Sequence, residues 1–348
     1  MPVPGLKRAR ERIAAMTLRP LPGALALAFA LCASAAAAQS SPAPSVPAAP
    51  GVANATVGAL EGNAVSAGAE VVSIAQDRAD RMTVPVSIDG RGPFSFLIDT
   101  GSERTVVSRD IAGELMLKFA EIARLVSIAG SKMVETVYVP DLTLGRQNYG
   151  EVVAPILEAH HIGADGILGL DGLQDQRILF DFTTNAISIE DVRKRAVSSD
   201  FEIIVTARRR SGQLIFTDAT LGGKRISVVI DTGAESNIGN LALLRRLGSG
   251  KKLTQEQGSL VSVTGQSVTV NSGLANDFRI GRAQFEFVPI VFADSQAFAE
   301  LGLDKTPALL LGMGTLRLFS RMMIDFKQRR VLFDMPSNAR RRPDRAPI

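Results

Sequence analysis

Two short loops hold the residues best suited to chemistry. Phe96-Leu97-Ile98-Asp99-Thr100-Gly101-Ser102 returns as Val228-Val229-Ile230-Asp231-Thr232-Gly233-Ala234. Each copy is an apolar run that ends on an Asp and breaks at once into Thr-Gly. One such loop supplies one carboxylate, and two can supply a facing pair. Carboxylates about 3 Å apart cannot both ionise easily, so they titrate as a pair with separated pKa values. The ionised member can take a proton from a water, and the protonated member can donate to a carbonyl oxygen. That combination hydrolyses an amide through a tetrahedral diol, without a metal or a covalent enzyme intermediate.

The elements that must position these loops also occur twice. Met82-Thr83-Val84-Pro85-Val86-Ser87-Ile88 alternates as a core-facing strand, Asp89-Gly90-Arg91-Gly92 predicts a hairpin turn, and Phe94–Ile98 leads into the first Asp. A short helix is expected near Arg109–Leu117. In the second half Phe201–Ala207 reads as a strand, Arg208–Gly212 as a turn and Gln213–Leu221 as the next strand. Gly222-Gly223 then turns the chain into Ile226–Ile230 and the second Asp. Asn240 is placed to cap a helix over Leu241–Leu247, with Gly248 ending it. Ile167-Leu168-Gly169 is matched by Leu310-Leu311-Gly312, and Ile178-Leu179-Phe180-Asp181-Phe182 by Met322-Met323-Ile324-Asp325-Phe326. The spacing grows from 132 residues between Asp99 and Asp231 to 143 between Gly169 and Gly312. One ancestral unit was duplicated, and the second copy gained about a dozen residues between its Asp loop and its apolar-apolar-Gly segment.

Asp-Thr-Gly is weak as a lone triplet, and two strand-to-turn junctions with capping Asp residues would share it. Two copies, each followed by apolar-apolar-Gly, are far more specific. Over about Met82–Met335 the chain resembles an aspartic peptidase of the retropepsin/pepsin clan, with both lobes in one polypeptide. The fold implied is mainly β: two homologous retropepsin-like β-barrel lobes, related by a pseudo-twofold axis, with the site at their interface. By that resemblance Asp99 and Asp231 are the catalytic dyad. Thr100 and Thr232 brace the loops through a reciprocal hydrogen-bond grip, and Gly101 and Gly233 let backbone approach the carboxylates. The apolar-apolar-Gly segments pass behind each loop and hold it. The lobes resemble retropepsin subunits in size more than pepsin lobes. No cofactor is implied, and the partner implied is a polypeptide bound in extended form.

Such lobes cover the substrate with Gly-containing hairpins. Val126–Val134, with Ala129-Gly130-Ser131 at its tip, fits this role in the first half. Val261–Val270, with Thr264-Gly265-Gln266 at its tip, fits it in the second. Ordinary surface hairpins would read the same way. Neither tip has the Tyr of a pepsin-type flap, which favours a two-flap arrangement. The loops also differ at one position, where Ser102 stands against Ala234. A Ser102 hydroxyl donating to its own loop's carboxylate would make Asp99 the more acidic member and leave the shared proton on Asp231. The pH optimum would then be less acidic than with Ser in both loops.

Charge and composition exclude other classes. The chain has 348 residues, a net charge of +4, no Trp and 2 Tyr. The leader contributes an excess of +4 and Arg340–Arg345 an excess of +3, so the body between them is about −3. Neither the charge nor the aromatic content suits a nucleic-acid surface. Residues 1–38 read as a signal peptide: basic residues, then the apolar run Leu21–Leu31, then Ala33-Ser34-Ala35-Ala36-Ala37-Ala38 before a cut at Gln39. Met16–Ala38 alone would serve equally, and an uncleaved anchor is the competing reading, although the apolar run is short for a span. Export to a periplasmic or extracellular location, with no stable membrane span after cleavage, is the expectation. Cys32, the sole cysteine, lies in that leader, and Leu31 before it is too large for a lipoprotein site. The mature chain would hold no thiol and no disulfide.

Residues 39–76 form an Ala/Pro/Ser-rich linker that could gain order from about 70, with an edge strand near Glu70–Ile74. The lobes are expected at 77–192 and 201–336, with 193–200 connecting them and 337–348 as a basic tail. His160-His161 lacks a third ligand at metal spacing and reads as a solvated loop, so no metal site is expected. Asp165, Asp181 and Asp325 fit turn and capping roles. The leading function is an exported aspartic endopeptidase, active as a monomer with an internal pseudo-dimer. The alternative is a peptide-binding protein that kept the fold without cleaving.

Overall fold

The computed structural model describes residues 81–174, 176–191, 201–210, 212–248 and 256–336, with short strands at 25–27, 31–32, 70–72 and 75–76. The leader boundary at Ala38–Gln39, the connector 193–200 and the tail 337–348 lie outside the described residues. The chain is mainly β and contains two eleven-stranded sheets, one for each half, whose strand orders repeat one another.

The hairpin of Met82–Ile88 and Arg91–Ile98 forms because its alternate apolar side chains share one face; Met82, Val84, Val86 and Ile88 are all buried. Its counterpart is the hairpin of Gln213–Leu221 and Lys224–Ile230. Gly166–Leu168 runs parallel to the end of the Asp99 strand, and Ala308–Leu311 runs parallel to the end of the Asp231 strand. Ser108 caps the helix Arg109–Glu114, accepting from Ile111 N. Asn240 caps Leu241–Leu247, accepting from Leu243 N. Arg208–Arg210, read above as part of a turn, instead forms an exposed three-residue strand paired with Gln213–Ile215. Three long cationic side chains suit an edge strand, where they deter further pairing.

Two long hairpins extend from the lobes: Lys118–Ser127 with Gly130–Val139, and Glu256–Ser262 with Ser267–Ala275. Each sends its tip into the other half's core. Val126 and Ile128 pack with Ile215, Val229 and Ile238, while Val263 packs with Leu97, Val106 and Ile167. Leu25–Leu27 pairs parallel to Arg124–Val126, and Leu31–Cys32 pairs antiparallel to Val261–Ser262.

A third, six-stranded sheet joins the halves, with Gln176–Asp181 antiparallel to Arg321–Asp325 at its centre. Glu70–Val72 is its edge strand beside Ala186–Asp191, in the region where an extra strand was expected. No helix among the described residues is long and apolar enough to cross a membrane.

Candidate active site

The two Asp loops meet back to back, and their threonines cross. Thr100 N donates to Thr232 Oγ1 at 3.1 Å, and Thr232 N donates to Thr100 Oγ1 at 3.2 Å. Each hydroxyl then donates onward across the interface, Thr100 Oγ1 to Ile230 O at 2.9 Å and Thr232 Oγ1 to Ile98 O at 2.7 Å. Both side chains are buried, so these bonds are shielded from competing water. The sequence could anticipate this because Thr combines a small, stiff side chain with a group that both donates and accepts.

The glycines bring each loop against the opposite carboxylate. A Cβ on Gly101 would lie 2.7 Å from Asp231 Oδ1, and one on Gly233 would lie 2.3 Å from Asp99 Cγ. No side chain fits there. Behind the loops, Asp99 N donates to Leu168 O and Asp231 N to Leu311 O, both at 3.1 Å. A Cβ on Gly169 would lie 2.3 Å from the Arg104 carbonyl carbon, and one on Gly312 would lie 2.5 Å from Ser236 O. Thr105 Oγ1 accepts from Gly169 N in the first half, and Asn237 Oδ1 accepts from Gly312 N in the second.

Asp99 and Asp231 are fully buried. Asp99 Oδ1 accepts from Gly101 N at 2.7 Å, while Asp231 Oδ1 accepts from Gly233 N and Ala234 N, both at 3.1 Å. The Oδ2 atoms of both are buried and accept no hydrogen bond among the described residues. Burial pushes Asp99 up to about 6, with the Gly101 amide and the charge of Arg81 opposing it. Burial and then the neighbouring Asp99 charge raise Asp231 well above the usual carboxylate range. Both carboxyls are raised and titrate as one coupled pair, with the Arg81 charge acting on the Asp99 side.

The Ser102 contact differs from the expected one. The Ser102 hydroxyl donates to Arg104 O at 2.7 Å, and what Ser102 offers Asp99 is its backbone N–H. The charge difference lies in a pair that sequence reasoning missed. Arg81 is almost fully buried; its guanidinium donates to Ile162 O at 2.7 Å and crosses to Gly233 O at 3.4 Å. Gln213 is fully buried, and its Nε2 crosses the other way to Gly101 O at 2.6 Å. Each residue stands 18 positions before its loop aspartate, so the duplication itself was the signal that could have found them.

The hairpin tips lie against one another. Ser127 Oγ donates to Ser262 Oγ at 3.2 Å, Ser262 and Thr264 share a hydroxyl bond of 2.7 Å, and Lys132 Nζ donates to Thr264 O at 3.3 Å. Gln266 Nε2 donates to Ser131 O at 3.4 Å, and Ala129 packs against the second half's core. Gly130 and Gly265 both adopt positive φ, at 129° and 76°. His160-His161 is not a loop but part of the helical turn Ala159–Ile162, closed by Gly163 in the left-handed region. His161 is half-buried beneath the second tip, where a Cβ on Gly265 would lie 2.5 Å from its Cε1. Among the described residues no cluster of His, Cys, Asp or Glu could hold a metal ion. Asp181 accepts from Thr183 and Thr184 N and Asp325 from Gln328 N, as turn roles require, although Asp325 also pairs with the buried Arg177; Asp165 departs from the expectation, accepting from Ser95 N of a strand 70 residues away.

A family model described as aspartyl protease matches residues 84–171 and 217–315. The chain belongs to the aspartyl protease family. The two matched stretches coincide with the two repeats and contain one Asp-Thr-Gly loop each. No curated protein matches the chain. The family is one of protease-type hydrolases, and its substrates are peptides.

Proposed function

We propose that this aspartyl protease family member is an exported endopeptidase that cuts extended polypeptides with Asp99 and Asp231. The reading is carried by the crossed placement of the loops, in which each carboxylate lies against the glycine of the other. Ionised Asp99 takes a proton from a water held between the carboxylates. Protonated Asp231 donates to the scissile carbonyl oxygen. The water attacks, the diol forms, and the nitrogen is protonated as it leaves. Below about pH 6 Asp99 is protonated and the base is lost, so cleavage rises with pH through that value.

The substrate lies as an added strand between the hairpins and the dyad, its alternate side chains filling mostly apolar subsites. Both hairpin edges accept strands, as Leu25–Leu27 and Leu31–Cys32 do. Leader removal at Gln39 would free those edges for substrate. The mature protein acts as a monomer of two lobes, 77–192 and 201–336, in a periplasmic or extracellular space.

Mass-spectrometric cleavage profiling on a peptide library, for wild type, Asp99→Asn and Asp231→Asn, with and without pepstatin, tests this. Wild type cleaves, and each substitution lowers kcat by at least about a thousandfold, of the order expected when a unit of acid and base loses one member. Cleavage surviving both substitutions would remove the dyad mechanism. Retained peptide binding without cleavage by wild type at any pH would establish the non-catalytic binding protein instead.

A further inference from the structure

The outer corner of the second half differs from its repeat in charge. There Arg225, Arg245, Arg246 and Lys305 line a concavity of about 540 Å³ together with Ala242 and Pro307. All four cations are exposed, and none forms an ion pair among the described residues. Lys224 adjoins them, its ammonium donating to the Arg246 carbonyl at the end of helix Leu241–Leu247. The acids nearest in sequence, Asp218 and Asp304, pair with none of them.

The first half provides an internal control. At its matching corner Arg91 donates to the Glu114 carbonyl at 3.4 Å, as Lys224 does to Arg246, and also pairs with the Glu114 carboxylate at 3.0 Å. Glu114 and Arg246 each stand 15 residues beyond their loop aspartate. By the same count Asp110 is replaced by Ala242 and Gly113 by Arg245. One scaffold thus carries a neutralised corner in one copy and five uncompensated cations in the other. Helix-dipole complementarity accounts for one or two charges at a helix end, and Lys224 already supplies one. It does not account for Arg225 or Lys305, which are off the helix. The chain between leader and tail has a net charge of about −3, so general basicity is no explanation.

We propose that this corner is a binding site for a phosphate-bearing anion. Three guanidinium forks around one concavity suit a tetrahedral oxyanion, each offering paired donors, and an ammonium adds a point charge. The site is separate from the dyad: Arg225 precedes Asp231 by six residues of strand, a span of about 20 Å. The site stands whether or not the chain cleaves peptides.

Two probes separate the sources of phosphate. Full chain is titrated with inorganic phosphate and followed by NMR, and is floated with phosphatidylcholine vesicles with and without phosphatidylglycerol. The expected result is saturable shifts at Arg225, Arg245 and Arg246 with phosphate, or flotation only with phosphatidylglycerol. Either is reduced at least tenfold in Arg225→Gln/Arg245→Gln/Arg246→Gln, with thermal midpoint and peptide cleavage unchanged. The first outcome assigns a soluble phosphate and the second a headgroup. Should the triple variant not fold, Arg246→Glu, which installs the first half's residue, is expected to lower binding at least fivefold. Binding retained in these variants, no binding of either probe, or equal binding of polyglutamate overturns the proposal.

Discussion

Arg81 and Gln213 occupy matching places, yet only one is charged, and this is where the two halves of the site part company. Both brace the opposite loop's glycine carbonyl, so Arg81→Gln copies a brace the molecule already uses while removing the charge and the bond to Ile162 O. Without it Asp99 holds its proton to higher pH. The acid limb of kcat/KM should therefore move upward in Arg81→Gln, lowering the rate at pH 6 by about three- to tenfold, the effect of up to one pH unit. Ser102→Ala, whose hydroxyl serves Arg104 O, should leave the limb in place. A limb that moves with Ser102→Ala and not with Arg81→Gln would return the asymmetry to the loop residue. Stability carries the same signature. Asp99 is raised above its unfolded value of 3.8, so its contribution is fully present below that pH and is lost as pH rises through about 6. Urea unfolding should show wild type losing about 3 kcal/mol between pH 4 and 7.5 from this group, and Asp99→Asn losing correspondingly less.

At the scale of elements, period-two alternation and duplication made most of the fold legible. Met82–Ile88, Gln213–Leu221 and the Asn240-capped helix all formed where the sequence placed them, because each is decided by its own side chains. What could not be read was decided over long range. Nothing local in Val126, Ile128 or Val263 says that each hairpin tip belongs to the other half's core. Arg208–Arg210 looked like a turn because its charge is visible in sequence and its strand partner is not. Asp99 and Asp231 were legible through their loops, whereas Arg81 and His161 act through contacts 152 and 104 residues away. The His161 contact yields its own test. Gly265→Ala forces a positive φ on a residue with a Cβ and drives that Cβ into the imidazole. A stability loss of about 1–3 kcal/mol and a kcat/KM drop of about tenfold are expected, since the second tip can no longer seat. His161→Ala added to Gly265→Ala should recover part of both. No recovery would mean that the backbone strain alone carries the effect.

At the scale of the whole molecule, the buried threonine grip, the exchanged hairpin tips and the six-stranded sheet all hold the halves together. The sheet places a charge cluster at its centre. Arg177 stands across from Asp325 in one neighbouring strand and Glu190 in the other. Its Nη2 lies 3.0 Å from Asp325 Oδ2 and its Nη1 3.2 Å from Glu190 Oε2, with all three side chains buried. Such a cluster need not add net stability over an apolar one, but removing a single member strands the others. Arg177→Met leaves two carboxylates facing each other without a cation and should cost about 3–5 kcal/mol in urea unfolding at pH 7. Arg177→Met/Glu190→Gln/Asp325→Asn removes the charges together and should regain most of that loss. The comparison is sensitive to how the halves are joined. If the sheet clamps them as one cooperative unit, the single variant unfolds in one transition with an unchanged denaturant slope, and peptide cleavage is lost in step with structure. If the grip alone sets the dyad, cleavage should outlast the loss of the sheet. A single variant that loses less than about 1 kcal/mol would show that water reaches the cluster, because solvation of the two carboxylates would then replace the missing arginine.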